Sequence, residues 1–299
     1  MTRRRCDAVG EEGMILVNVL MFVAIAAALV LLLVSREELA LDRGLRMREA
    51  SRALAIARGG ELSAIVALRR DAEEQKIAAD HRNEAWARLS ESGAPIEGGS
   101  FDLAIADAQG RFNINMVRSG SVAPVILFRN IAAYAGATPE QAGRLIELIV
   151  ATGPVTDLRP LRMAGVDPKV AAVLERLVTA LPGETAINLN TADAELIGLL
   201  FRDGVVASRL LEIRDRQGFL SEKDLDDLQV PMPRGASFTS DTFWVRTRAT
   251  IGTTSQQEAA LIRRRKGEEG EIEVVPVERW RGAAIPPDAP QLPAASGVR

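Results

Sequence analysis

Few residues in this 299-residue chain have the type and spacing that chemistry requires. The one histidine, His81, lies in the polar stretch "DHRNEAW", where a solvated helix face explains it better than catalysis. The one cysteine, Cys6, has no second cysteine to pair with. Of Asp224, Asp226 and Asp227, only the first and third share a face at helical spacing. Because no phosphate loop and no metal-ligand spacing appears, we predict no catalytic, cofactor-binding or metal-binding residue and no enzymatic activity.

The distribution of charge also limits the function. Residues 263–266 ("RRRK") form a basic run, but on a strand alternate side chains would face opposite sides, which weakens the patch. The chain has 37 basic and 40 acidic residues, a net charge of −3. A polyanionic partner is therefore not favoured by the overall electrostatics.

A long apolar run stands near the N-terminus. Residues 14–34 contain one strongly polar member, Asn18. As a helix the run would span roughly 30 Å, the thickness of the hydrocarbon core of a bilayer. The apolar part of a secretory signal is shorter and ends at a small-residue cleavage site, which "VSREE" does not offer. Three arginines at positions 3–5 place the N-terminus in the cytoplasm, so we expect one membrane anchor carrying an exported domain.

The chain beyond the anchor changes its pattern several times. A helical pattern continues to about residue 74, with a bend expected at Gly59-Gly60. The stretch 100–115 alternates polar and apolar residues around Gln109-Gly110 and predicts a β-hairpin there. Helices with Pro at their first position follow, capped by Thr138 and Asp167. A second helical block covers residues 190–228, three antiparallel strands follow residue 241, and the Pro- and Ala-rich end is expected to be disordered.

One short pattern occurs twice, at the entrance to each helical block. The tetrads "FNIN" (112–115) and "INLN" (187–190) alternate apolar residues with asparagine. The alternation predicts that the apolar side chains are buried and that the Asn side chains bond nearby backbone or cap the next helix. We interpret these asparagines as structural rather than as ligands.

These features together resemble a known family. An apolar helix that begins directly after a Gly, behind a short basic leader, is similar to the class III signal of type IV pilins and pseudopilins. The order "RFNIN", helical insertion, "INLNTADAELIGLLF", "GFLSEKDLDDL" and "DTFWVRTRATIG" is similar to that of the type II secretion system protein K family. The resemblance covers most of the chain, and its specificity comes from the series rather than from one motif.

The resemblance implies an α+β fold in which a pilin-like long N-terminal helix packs on an antiparallel sheet, with a large helical (SAM-like) insertion. The expected organisation is a cleaved cytoplasmic leader (1–13), a transmembrane helix (14–34), the pilin-like helix and first strands (35–117), the inserted helical domain (118–240), the C-terminal antiparallel strands (241–280) and a disordered tail (281–299).

The resemblance also implies a function and its partners. Such a protein would be a minor pseudopilin at the pseudopilus tip, helping to initiate assembly for the export of folded proteins across the outer membrane. Prepilin peptidase would cut after Gly13, and the new N-terminus at Met14 would be methylated. Other minor pseudopilins and the inner-membrane secretion platform would be its partners, in the inner membrane with the globular domain periplasmic.

Two departures from the general pilin pattern carry information. The fifth mature position, usually Glu, is Asn18, as expected in the protein K subgroup; without a charge it cannot pair with a neighbour's amine, which suits a tip position. Asn18 could equally be an incidental polar residue hydrogen-bonded between helices. An acidic stretch that can bind calcium in the family is replaced by "TGPVTDLRP", which has Asp157 alone, so we expect no calcium there.

A DNA-binding function is the main alternative. Residues 187–228 also resemble the helix-hairpin-helix module of membrane-anchored competence DNA receptors. That module binds phosphate through backbone N–H groups of a Gly-containing hairpin. Here the hairpin reads "FRDGV" (201–205), with one Gly and an Asp where phosphate would approach. The acidic balance of the chain and this Asp disfavour nucleic acid as a partner.

Overall fold

The computed structural model describes residues 9–74, 78–163, 165–267 and 270–292. They fall into two compact units, Met1–Arg52 and Ala53–Arg299. The helices are α1 (Val9–Glu74), α2 (Ala85–Arg88), α3 (Val122–Tyr134), α4 (Pro139–Thr152), α5 (Arg159–Met163), α6 (Pro168–Leu177), α7 (Ala194–Phe201), α8 (Gly204–Gln217) and α9 (Glu222–Asp227). The strands are β1 (Glu91–Ile96), β2 (Gly99–Asp107), β3 (Phe112–Asn113), β4 (Val178–Thr179), β5 (Ile187–Asn188), β6 (Ala236–Ser237), β7 (Thr242–Ile251), β8 (Thr254–Lys266) and β9 (Ile272–Arg281).

The first unit is helical throughout its described part, which belongs to α1. This segment contains no proline and is rich in Ala and Leu, which favours a continuous helix. Residues 1–8 of the predicted leader lie outside the described residues.

The second unit is built on a five-stranded antiparallel sheet in the order β1-β2-β7-β8-β9. The C-terminal part of α1 packs on one face of this sheet. Ala64 and Leu68 of α1 share a core with Phe243 and Val245 of β7, and all four are fully or almost fully buried. The predicted fold class, a long helix on an antiparallel sheet, is confirmed.

Gly59 and Gly60, where the sequence indicates a bend or phase slip, do not interrupt α1, which is helical through both residues. Gly60 is buried, and a Cβ atom there would clash with the ring of Phe101 on β2. The absence of a side chain lets the helix approach the sheet closely, which is the role of this glycine.

The predicted hairpin around Gln109-Gly110 is wrong. The hairpin is formed instead by β1 and β2, which turn at Glu97-Gly98, and Ala108–Gly110 is a short 3-10 helix. Residues 112–113 leave the main sheet and pair in parallel with β4. A Cβ on Gly110 would lie 2.9 Å from the carbonyl oxygen of Thr191, so this glycine serves a close contact and not a turn.

The helical insertion interrupts the sheet between two neighbouring strands. β2 and β7 pair along their whole length, from Gly99 with Ile251 to Asp107 with Phe243, although residues 108–241 separate them in sequence. The insertion has its own core, to which α3, α4, α6 and α7 contribute Phe128, Leu145, Leu174 and Leu196. The predicted caps Thr138 and Asp167 begin α4 and α6, each followed by Pro.

The second face of the sheet is covered by the C-terminal segment, which corrects the predicted disorder over part of 281–299. Ala289 is buried with Trp244 of β7, and Trp280 and Ile285 pack against the same cluster. Asp288 is also buried, and its Oδ2 accepts a hydrogen bond of 2.9 Å from the Thr179 hydroxyl. The C-terminal segment thus buries apolar side chains on this face of the sheet. Residues 293–299 lie outside the described residues.

Candidate assembly site

The apolar run is exposed on all sides of α1. Among the described residues, one helix is long and apolar enough to cross a membrane, namely α1 from Met14 onward. None of its most apolar window, of mean hydropathy 3.0, is buried. A helix that is apolar all round requires lipid or other helices around it. The long apolar N-terminal helix therefore fits a membrane anchor.

The three predicted site residues lie together on this helix. Gly13, Met14 and Asn18 are all helical, and the side chains of Met14 and Asn18 are exposed. Met14 and Asn18 are four residues apart, so they lie on one face, one turn from each other. This placement is compatible with the processing and assembly roles, which stay predictions.

A carboxylate cluster that the sequence did not predict lies where α1 ends. Oxygen atoms of Asp71, Asp80 and Glu84 lie within 4.8 Å of one another. Arg264 of β8 reaches into this cluster: its Nη1 lies 3.0 Å from Asp71 Oδ2, and its Nη2 bonds Asp80 Oδ1. The guanidinium group of Arg264 thus forms ion pairs with two of the three carboxylates, Asp71 and Asp80.

Burial dominates the electrostatics of this cluster. It raises the pKa of Asp71 to about 6 from 3.8, and the neighbouring Glu84 adds to the rise. Burial also raises the pKa of Glu84, whose Oε2 accepts hydrogen bonds of 2.8 Å from the His81 backbone and the Trp86 indole. The pKa of His81 is lowered, again mainly by burial, and its ring stacks on Phe219. His81 is therefore a packed residue rather than one on a solvated helix face.

The segment that replaces the calcium-binding stretch is held by an internal ion pair. Asp157 accepts hydrogen bonds from the backbone and side chain of Arg159. Burial would raise the pKa of Asp157, but these bonds outweigh it and hold the pKa below its usual value. The one carboxylate in this stretch is thus already satisfied.

The hairpin of the candidate DNA-binding module is closed by its own side chain. Asp203 caps α8, and its Oδ1 accepts hydrogen bonds from the backbone N–H groups of Val205 at 2.8 Å and Val206 at 3.2 Å. These are the donors that a phosphate would use. The Asp203 carboxylate occupies these donors and would also repel a phosphate group, so the structure disfavours DNA binding at this hairpin.

The remaining candidates also have structural partners. Asp224 completes a capping box with Ser221 and accepts a further hydrogen bond from Gln217. The basic run on β8 splits as expected of a strand: Arg264 is buried in the carboxylate cluster, and Arg263 donates to the Pro182 carbonyl. The interpretation of both motifs as structural is supported by these contacts.

The asparagine tetrads tie the insertion together. Asn190 donates to the Leu220 and Phe238 carbonyls and accepts from the Leu220 N–H, and Asn188 Nδ2 lies 2.8 Å from Asp107 Oδ2. Asn113 and Asn115 make equivalent bonds to the backbone of Leu181 and Val155. All four asparagines are buried, so the structural interpretation is confirmed.

Asp107, at the end of β2, is a second buried carboxylate that the sequence did not single out. It accepts hydrogen bonds from the side chains of Asn188, Thr191 and Ser240 and from the Gln109 N–H. Burial raises its pKa, while these bonds act in the opposite direction. Because its partners come from both ends of the insertion, Asp107 joins the insertion to the sheet.

Comparison with known proteins agrees with this architecture. No family model matches the chain. The chain is 26% identical to the type II secretion system protein K of Pseudomonas aeruginosa over 313 aligned positions, which cover 91% of this chain and 94% of that protein. It shares the fold of a chain in the crystal structure of the GspK-GspI-GspJ complex from the type 2 secretion system of enterotoxigenic Escherichia coli, with a TM-score of 0.62 and 19% identity, covering 80% of this chain and 99% of that chain.

The similarity therefore extends over nearly the whole length and includes the insertion as well as the sheet. The resemblance to the type II secretion system protein K family is confirmed, and it supports the interpretation of this chain as a minor pseudopilin of type II secretion.

Proposed function

We propose that this chain is a minor pseudopilin that acts by assembly at the pseudopilus tip and helps to initiate the filament. The observation that carries the proposal is the similarity to protein K over 91% of the chain. The exposed apolar segment of α1 supports it, because such a helix can pass from lipid into the helical core of a filament. His81 stacks on Phe219 and Asp224 completes a capping box, and these packing and capping roles agree with assembly rather than catalysis.

The first step of this function is processing at the cytoplasmic face of the inner membrane. Prepilin peptidase would cut between Gly13 and Met14 and leave a methylated N-terminus at Met14. Mass spectrometry of the protein from its native host should show a chain that starts at Met14. Gly13→Leu should remain uncut, whereas Gly10→Leu, a matched change within the leader, should be processed. An intact N-terminus in the unchanged protein would contradict the proposal.

The second step is association with other minor pseudopilins. A structurally similar protein was crystallised as part of the GspK-GspI-GspJ complex. We propose that this chain joins the corresponding pseudopilins of its own system, with its second unit in the periplasm, and that it contacts the inner-membrane secretion platform. The full chain and those two proteins can be co-expressed in cells and purified from detergent-solubilised membranes. Co-purification tests the association directly. If this chain associates with neither of the two, the proposal is refuted.

Variants of Asn18 test the proposed position at the tip. If no subunit docks above this one, Asn18 need not neutralise the amine of a neighbour, and Asn18→Ala removes only a neutral hydrogen bond of about 0.6 kcal/mol. Secretion by Asn18→Ala cells should then be nearly unchanged. Asn18→Glu places an unpaired carboxylate in lipid at a cost of a few kcal/mol, so it should not improve secretion. If Ala abolishes secretion and Glu improves it, the subunit has a neighbour above it.

A further inference from the structure

Helix α3 of the insertion presents an apolar stripe to solvent. Val122, Ile126, Arg129 and Ala133 lie on one face of the helix at spacings of four, three and four residues, and all four are exposed. Val122 is 69% exposed and Ile126 41% exposed. Because these two β-branched side chains are one helical turn apart, they form one continuous apolar surface.

A groove lies beside the stripe and continues its apolar surface. It has a volume of about 370 Å³, and its lining includes Met116, Ala123, Pro124, Leu127, Glu184 and Arg234. Ala123 and Leu127 are the residues that follow Val122 and Ile126 along α3, so the groove and the stripe are adjacent. Together they form one surface, which we call the α3 groove.

The charge around the α3 groove is mainly positive. Arg129 lies in the stripe and Arg234 in the groove wall, and among the described residues neither has an acidic ion-pair partner. The first turn of α3 has no acidic residue, and the positive end of the helix dipole adds to the same sign. Glu184 is the one carboxylate in the lining. An occupant with apolar side chains and flanking carboxylates would complement this surface.

We propose that the α3 groove binds a protein segment that presents apolar side chains flanked by Asp or Glu. The apolar side chains would cover Val122 and Ile126, and the carboxylates would face Arg129 and Arg234. This mode of binding, in which an amphipathic segment lies in an apolar groove, needs only the surface described here. The proposal does not depend on the tip position or on the pseudopilin partners.

Two synthetic helical peptides test the proposal against the full chain in nanodiscs of zwitterionic lipid. One has Leu on one face and Glu on the other; the second has Lys in place of every Glu, and empty nanodiscs supply the background. The Glu peptide should bind about tenfold more tightly at low salt, and the difference should shrink as salt screens the charges. Arg129→Glu combined with Arg234→Glu should reverse the preference.

A matched pair of variants locates the binding surface. Ile126→Glu should weaken binding of the Glu peptide at least about tenfold, since it removes an apolar contact and adds a like charge. Val150→Glu makes the same kind of change at an exposed aliphatic residue of α4 and should leave binding unchanged. Circular dichroism checks that both variants fold. Equal binding of the two peptides, equal effects of the two variants, or no binding would refute the proposal. Self-association of the chain that Ile126→Glu abolishes would show that a second copy covers the groove instead.

Discussion

The carboxylate cluster at the end of α1 should make stability depend on pH in an unusual direction. The pKa of Asp71 is 3.8 in the unfolded chain and about 6 in the folded protein, with burial as the main cause. A carboxyl whose pKa is raised by folding binds its proton more tightly in the folded state. Its contribution to stability is therefore complete below the unfolded pKa and is lost as the pH rises through about 6.

The magnitude follows from the two pKa values. Linkage gives a loss of about 1.3 kcal/mol between about pH 5 and pH 7, and about 3 kcal/mol across the whole window. Asp71→Asn removes the titration. The free energy of unfolding of the unchanged chain, minus that of Asp71→Asn, should therefore increase by about 1.3 kcal/mol when the pH is lowered from 7 to 5.

The change can be followed by a fluorophore inside the same core. Trp86 donates its indole N–H to Glu84 and packs edge-on against Phe243, with ring centroids 5.1 Å apart. Urea unfolding of the full chain in detergent, followed by tryptophan fluorescence at both pH values, gives the two free energies. The lowered pKa of His81 acts in the opposite direction, but His81 is present in both proteins. Because Asp71 raises the pKa of His81, removing Asp71 moves the difference in the expected direction.

A control at the same helix end separates this effect from a general loss of charge. Glu74 is an exposed carboxylate of α1, and Glu74→Gln should leave the pH dependence of stability close to that of the unchanged chain. If the difference between the unchanged chain and Asp71→Asn stays constant between pH 7 and pH 5, or moves in the opposite direction, the assignment of Asp71 as a buried carboxyl of raised pKa is wrong.

Three further experiments test the remaining sites. Asp203→Ala should lower the free energy of unfolding by about 1 kcal/mol, because two N–H groups of α8 lose their cap, whereas Asp203→Asn should retain most of that stability. Thermal melting checks both variants. The unchanged chain should show no anisotropy change with labelled duplex DNA at physiological salt. Asn190→Leu should cost about 3 kcal/mol, since it leaves the buried Leu220 N–H and carbonyl unpaired and removes one of the two hydrogen bonds to the Phe238 carbonyl. Asn83→Ala, a change at an exposed amide, should have little effect in the same urea titration. The melting temperature should be nearly equal with calcium and with chelator, because Asp157 is paired with Arg159. A bound ligand at 100 times its Kd would add about 2.7 kcal/mol to the free energy of unfolding, which would be visible as a shift in melting temperature.

The sequence predicts the features of this fold that depend on local chemistry. The apolar run, the Pro-led helices capped by Thr138 and Asp167, and the three C-terminal strands each have a signal within a few residues. The tetrads belong to the same class, because alternating apolar and Asn residues already indicate side chains that bond to backbone. The strand pattern of the basic run likewise separates Arg263 from Arg264 correctly.

The failures occur where two signals compete or where a partner is distant. Gly98-Gly99 and Gln109-Gly110 are both plausible turns, and only pairing with β7 decides that β2 occupies the sequence between them. The carboxylate cluster joins residues 184 and 193 positions apart, since Asp80 and Asp71 both bond Arg264. The C-terminal segment is rich in Pro and Ala and reads as disordered. Its order depends on Trp244 and Thr179, which local composition does not reveal.

The same distant contacts explain how a sheet can carry so large an insertion without losing its register. Asp107 ends β2, and its carboxylate is bonded by Asn188 from within the insertion and by Ser240 from its end. Asp288 of the C-terminal segment adds a second connection, because it bonds Thr179 in the insertion while Ala289 beside it packs on the sheet. Each connection buries a carboxylate whose pKa is raised, so each is favourable only when its donors are in place. The insertion and the sheet are thereby held in one arrangement, as the proposed role in assembly requires.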